Sequence, residues 1–287
     1  MTCRVIDDLL FGEQNATVER FSSHRPTDVD GLAAQVRAVA HRFATRAISG
    51  WPSDFSKAYK QVPGDPAQQR FVVVAQWCPH RCRPILWIAL SQLVGGSRPP
   101  LMFSRYPAWM CDALAVLFTV SASHCVDDMI GIYPAYFVMS GWKAWRSLAN
   151  ISGWEVGDDK SPPPSQNFVV IGVDLDMFDT PSGPAVLSIS EKREAMLTQA
   201  LHYILSSNRL APGDASSITG KLGFALCAVF GRIGRTKLRP IRDRGCHRHK
   251  GLELNPQLRS CVIWWIDFFQ TYIKRSILPL CSQGLCS

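Results

Sequence analysis

Apolar residues return every three or four positions through residues 29–43, at Leu32, Ala33, Val36, Val39, Ala40 and Phe43. That spacing puts them on one face of an amphipathic helix. Ahead of it, residues 4–11 have strand-like composition and start abruptly, as a truncated fragment would. After it, a strand is expected to lead into Asp54. Apolar stretches at residues 71–77 and 85–90, separated by a Pro/Cys/Arg turn, predict a pair of strands. Pro99 and Pro100 suit the first turn of a helix running to about Val120. Residues 124–133 then read as a hairpin with Asp127 and Asp128 at its bend. A helix over 136–151, a break at Pro162, Pro163 and Pro164, and a strand over 168–177 follow. Beyond Ser188 the texture changes. Residues 191–206, 215–231 and 258–273 are all helix-periodic with Pro/Gly punctuation between them. The expected division is an α+β lobe over 1–188 and a helical one over 189–287.

Charge and cysteine content narrow the classes. Across 287 residues the formal net charge is +8, the balance expected of a protein that handles polyanions, yet long Lys/Arg blocks are missing. The ten cysteines are scattered, and the N-terminus lacks the basic-then-apolar pattern of a signal peptide. Reduced thiols in an intracellular protein, cytoplasmic or nuclear and not secreted, are therefore expected. The sequons at Asn15 and Asn150 are then idle. The longest apolar run, over 101–120, is interrupted by Arg105 and Asp112, both penalised in a bilayer core, so no membrane span is expected.

Three Asp-Asp pairs stand out: Asp7-Asp8, Asp127-Asp128 and Asp158-Asp159. Phosphoryl transfer through two divalent ions roughly 3.5–4 Å apart needs carboxylates that converge from separate strands. Local pattern does not choose among the pairs. Other chemistries fare worse. The stretch ending in Gly220-Lys221 has Ala215 where a phosphate-binding loop needs glycine and Leu222 where it needs Ser or Thr. Cys78, His80 and Cys82, like Cys246, His247 and His249, lack the paired spacing of a zinc module. Trp264, Trp265, Phe268 and Phe269 sit at helical spacing and suit a core. Arg232, Arg235, Lys237, Arg239, Arg242 and Arg244 form a basic series able to follow a nucleic-acid backbone.

The order of motifs supplies what local pattern cannot. Asp54-Phe55-Ser56-Lys57-Ala58-Tyr59-Lys60-Gln61-Val62-Pro63 resembles the first catalytic motif of reverse transcriptases. Cys125-Val126-Asp127-Asp128 resembles the second, an aromatic-x-Asp-Asp hairpin, with Cys125 where the aromatic usually stands. Arg4-Val5-Ile6-Asp7-Asp8 resembles the fingers motif whose arginine meets the nucleotide triphosphate. Gly153-Trp154 through Asp158-Asp159-Lys160-Ser161 resembles the lysine-bearing motif, and Ile171-Gly172-Val173 the primer-grip hairpin. Between them, residues 93–100, with Gly95 and Gly96, keep the family's glycine loop only loosely. In texture the chain is most similar to tyrosine-recombinase (DIRS-like) retroelements and their relatives in protist genomes.

The resemblance implies a right-hand polymerase: a palm with partial fingers, an antiparallel sheet flanked by helices, then a helical thumb or connection-like region. It implies that Asp54, Asp127 and Asp128 hold two magnesium ions, with manganese as a substitute and a carbonyl near Phe55 assisting. Tyr59 would stack under the incoming sugar and exclude a 2′-hydroxyl, Arg4 would meet the dNTP, Gly95 and Gly96 would let backbone approach template and nucleotide, and Lys160 would act as general acid. The partners are dNTPs and an RNA or DNA template with its primer; the oligomeric state stays open. No RNase H-like acidic-strand pattern is found before Ser287. The first alternative is a degenerate, inactive relative that only binds nucleic acid; the second is an unrelated α+β enzyme with Asp54 and Asp127 far apart.

Overall fold

The helical period at 29–43 becomes α1 (Val29–Arg42), opened by Asp28, whose side chain accepts from Gly31 N–H at 2.8 Å. Such a cap satisfies one of the donors a helix start leaves orphaned. The computed structural model describes residues 27–70, 72–92, 99–229, 233–246 and 252–277. Arg4, Asp7-Asp8, Gly95, Gly96, Gly231 and Arg232 lie outside them. By internal contacts the chain forms two units that interleave in sequence. One holds Thr27 and the described residues of 51–133 and 137–164; the other holds those of 28–50, 134–136 and 165–277. The change of texture at 188 falls inside the second, where strand hands over to helix.

The first unit is built on the three-stranded sheet β1–β5–β4. Its strands are β1 (Ile48–Asp54), which enters the unit at Trp51, β4 (Ser121–Cys125) and β5 (Asp128–Pro134). Between β1 and β4 come a 3-10 turn at Ala58–Gln61, a single turn α2 (Pro66–Gln69), the antiparallel hairpin β2 (Val73–Cys78) and β3 (Arg83–Ile88), and α3 (Pro99–Phe118). α4 (Val138–Ile151) follows β5. Trp51, Phe103, Met110, Leu114, Met129 and Trp145 are fully buried in one core. Aromatic rings meet edge to face there, Phe55 lying 5.4 Å from Phe103 and 5.5 Å from Trp145, the arrangement ring quadrupoles favour. Gly131 is required by this packing: a Cβ there would stand 2.1 Å from Cε2 of Trp51.

The second unit pairs β6 (Asn167–Val170), β7 (Val173–Asp176), β8 (Ala185–Ile189) and β9 (Arg275–Ile277) in one antiparallel sheet. The single strand expected over 168–177 is thus two strands. Ile171 at φ 49° and Gly172 at φ 66° turn the chain, as two-residue hairpins require. Helices α5 (Glu191–Ser207), α6 (Pro212–Ala225), α7 (Arg235–Cys246) and α8 (Pro256–Thr271) complete it. The 213–221 stretch lies within α6, not in a phosphate loop. In α8, Trp265, Phe268 and Phe269 are buried, so the aromatic series is core. No helix among the described residues is long and apolar enough to cross a membrane.

Candidate active site

β1 delivers Asp54 at its end, and Tyr59 follows in the 3-10 turn, where its ring meets Phe103 of α3. Asp54 is only 9% exposed. Burying a carboxylate is costly unless it is paired, and one partner is present: Lys160 Nζ donates to Asp54 Oδ2. The other oxygen, Oδ1, is buried with no hydrogen-bond partner.

The turn that carries Lys160 is tied to β1 by backbone. Gly157 N–H donates to Asp54 C=O at 2.9 Å, Ser56 N–H donates to Glu155 C=O at 2.9 Å, and Phe55 bridges to Val156. Side chains reinforce the tie. Gln61 donates to Ser56 C=O at 2.5 Å and Glu155 C=O at 2.8 Å and accepts from Glu155 N–H. Beneath Asp54, Trp145 Nε1 donates to Ser53 Oγ at 3.0 Å, and Ser53 and Ser161 share a buried hydroxyl bond of 2.8 Å. Arg146 holds Asp158 at 2.6 Å on the outside. Ser53, Gln61, Trp145 and Ser161 are positioning residues the sequence reading missed. Gln61 and Ser161 lie inside the two quoted motifs and Ser53 directly precedes Asp54, whereas Trp145 carries no such signal.

The β4–β5 hairpin supplies Asp127 and Asp128. Cys125 pairs with Asp128, leaving Val126 and Asp127 as the bend. Val126 takes φ 57°, a left-handed conformation that costs a β-branched residue of order 1–3 kcal/mol and persists only where the surroundings impose it. The Asp128 carboxyl is pushed up to about 6, first by burial, then by the charges of Asp127 and Asp54, with Lys160 pulling the other way. The Tyr59 phenol is raised by burial and by Asp127; its ring meets Phe103 at 5.5 Å. Asp127, Asp54 and Lys160 therefore all act electrostatically on Asp128, and Asp127 also acts on Tyr59. The Phe55 ring belongs to the core. Arg4, Gly95 and Gly96 fall outside the described residues.

The residues can be tested against a divalent cation. Among the described residues no three His, Cys, Asp or Glu side chains stand together as a ready metal-binding set. Magnesium seldom needs one, because it keeps several waters and is usually held by one or two carboxylates plus substrate phosphates. The donor chemistry fits: hard oxygens, one orphaned on Asp54, and an Asp128 carboxyl that resists ionisation beside two other acids.

No protein-family model and no curated protein matches the sequence. Solved structures do match. Foamy viral protease-reverse transcriptase in complex with double-stranded DNA, in its dRH form, superposes with TM-score 0.64 and 13% identity over 93% of this chain and 41% of that one. The foamy viral protein in complex with RNA/DNA hybrid gives 0.62 and 15%, over 91% of this chain and 31% of that one. A further complex with double-stranded DNA gives 0.58 and 14%, over 90% and 47%. The chain thus spans less than half the length of these structures. Helices and antiparallel sheet are arranged here as in reverse transcriptases.

Proposed function

We propose that this chain is the polymerase portion of a retroelement reverse transcriptase, adding deoxynucleotides to a primer 3′-hydroxyl on an RNA or DNA template. On this reading residues 1–188 serve as fingers and palm and residues 189–287 as a thumb or connection-like region, with DIRS-like elements the nearest in texture. The observation that carries the reading is the meeting of Asp54, at the end of one strand, with the charges of Asp127, Asp128 and Lys160 from elements far away in sequence. The solved foamy viral structures, bound to double-stranded DNA and RNA/DNA hybrid, support nucleic acid as the partner.

Asp54 and Asp127 would hold two magnesium ions, with Asp128 and the Phe55 carbonyl nearby, and such ions supply Lewis-acid stabilisation of the attacking and leaving oxygens. The protein's own groups do the rest. The Tyr59 ring, packed against Phe103, would lie under the sugar and disfavour a 2′-hydroxyl, as the resemblance implies. Lys160, once released from Asp54, carries a proton to the departing pyrophosphate. The Ser53–Ser161 hydroxyl pair keeps the strand and the lysine turn in register, and a loosened register would cost rate through misplacement alone.

Primer extension on an RNA template, wild type against Asp127→Asn, tests the proposal. A fall of about a thousandfold is expected, since the lost carboxylate acts mainly in the transition state. Extension undiminished in the variant overturns it. A second reading has its own observation: Lys160 already neutralises Asp54 and Cys125 stands where the family has an aromatic, as in a relative that binds nucleic acid without polymerising. That reading expects duplex binding by the wild type with no extension at all.

A further inference from the structure

A second polar site lies wholly within the helical part of the other unit. Ser207, Asn208, Arg209, Arg244, Leu252, Glu253 and Asn255 line an open cleft of roughly 710 Å³, where the end of α5, the end of α7 and the start of α8 meet. Arg244 is 6% exposed. Its Nη2 donates to the backbone carbonyl of Glu253, while its Nε is buried with no hydrogen-bond partner. Among the described residues no carboxylate lies within ion-pair distance of it.

A guanidinium cannot shed its proton in a protein. Buried without an anion, it is among the costliest arrangements a fold can hold. Something negative should therefore complete it. The lining favours an anion as well: Arg209 contributes a second guanidinium and Ser207 a hydroxyl. Asn208 accepts from Arg259 Nη1 at 3.1 Å, which brings a third. Asn255 is spent as the α8 cap, accepting from Leu258 N–H at 2.8 Å. Against these stands the Glu253 carboxylate alone, on an exposed residue. Planar forks of this kind match phosphate oxygens two at a time. The volume far exceeds a bare ion and lies in the range of small-molecule sites.

We propose that this cleft binds a phosphate group carried on a larger molecule, with Arg244 and Arg209 as its ligands. The inference does not depend on the polymerase reading.

The test uses the full chain and two probes. Thermal unfolding is followed with inorganic phosphate against chloride at equal ionic strength, and binding of a short DNA duplex is titrated by fluorescence anisotropy. Both are repeated with Arg209→Gln, an exposed position expected to fold normally, and with Arg244→Lys. The expected result is a phosphate-dependent rise in Tm for the wild type that falls at least threefold in Arg209→Gln. If duplex affinity falls by a similar factor, the phosphate is a nucleic-acid phosphodiester. If duplex binding is unchanged while the phosphate effect is lost, the ligand is a small phosphorylated molecule. A wild type no more stabilised by phosphate than by chloride, or an Arg209→Gln protein that keeps the full response to both probes, overturns the proposal. Primer extension by the same Arg209→Gln protein separates this result from the polymerase reading, because retained extension with lost phosphate response leaves both standing.

Discussion

Two hairpins in the same unit start from similar material and end differently. β4–β5 turns its apolar residues inward, with Met129, Ile130 and Ile132 fully buried. β2–β3 is just as regularly paired, from Val73↔Ile88 to Cys78↔Arg83, yet leaves Trp77 61%, Leu86 67% and Trp87 54% exposed. Pairing therefore does not decide burial; what covers the sheet does. β4 packs against α3 and Trp51 lies flat on Gly131, whereas β2 and β3 chiefly contact each other. The carboxylates sit on the covered hairpin, where the strained bend at Val126 can be held.

The largest break in this comparison should come from Gly131→Ala. The new methyl would meet Trp51 atoms at 2.1 to 2.6 Å, and neither a buried indole nor a central strand can move away cheaply. A loss of about 3 kcal/mol or more is expected in urea unfolding. A change below 1 kcal/mol would show that this hairpin is as loosely held as the other.

Ser161→Ala should come next. It removes the hydroxyl that bonds Ser53 at 2.8 Å and accepts from Asp54 N–H at 3.4 Å, leaving Ser53 with only the Trp145 donor. Loss of this short buried bond, with the longer one to Asp54 N–H, costs about 1–2 kcal/mol. Because the bond also registers the Lys160 turn against β1, primer extension should fall by more than that loss of folded protein explains. Equal losses would make Ser161 merely structural.

Asp128→Asn tests the electrostatics, and its sign is opposite. With the folded carboxyl raised to about 6 from 3.8, the native state holds its proton more tightly than the unfolded chain. Stability from this group is greatest below about pH 4, falls as pH rises to about 6, and its ionisation remains a cost at pH 7. The variant, which has no charge to desolvate, should therefore be more stable than wild type at pH 7 by about 1 kcal/mol, allowing for partial solvent screening. That advantage should vanish near pH 4. Adding magnesium should narrow the gap at pH 7, because a bound cation offsets the same repulsion. A variant less stable than wild type at pH 7 would contradict the assignment.

What could be read from the chain itself follows the same physics. α1 was legible because Leu32, Val36 and Val39 repeat at the helical period. Asp54 and Asp127-Asp128 were legible through motif order, although Asp158-Asp159 is locally just as good a pair. α7 was not: Arg235, Lys237, Arg239, Arg242 and Arg244 break any apolar period over 235–246, Pro240 sits inside the helix, and only packing on α6 and α8 makes it one. β9 has three residues and owes its strand state to β8, some ninety positions earlier. The Lys160–Asp54 pair and the Ser53–Ser161 bond span more than a hundred positions, a separation no local period encodes.

The smallest effect should be found on β3. Leu86→Ser and Trp87→Ser remove side chains that already face solvent, so each should shift unfolding by no more than about 0.5 kcal/mol. Their consequence lies elsewhere. Large apolar groups exposed on both faces of one hairpin are an aggregation liability or a contact surface, so the double variant should stay monodisperse at protein concentrations where the wild type self-associates. Light scattering across a concentration series reads this directly. If instead the double variant unfolds as readily as Gly131→Ala, then β2–β3 is covered in solution, and the contrast between the two hairpins is lost.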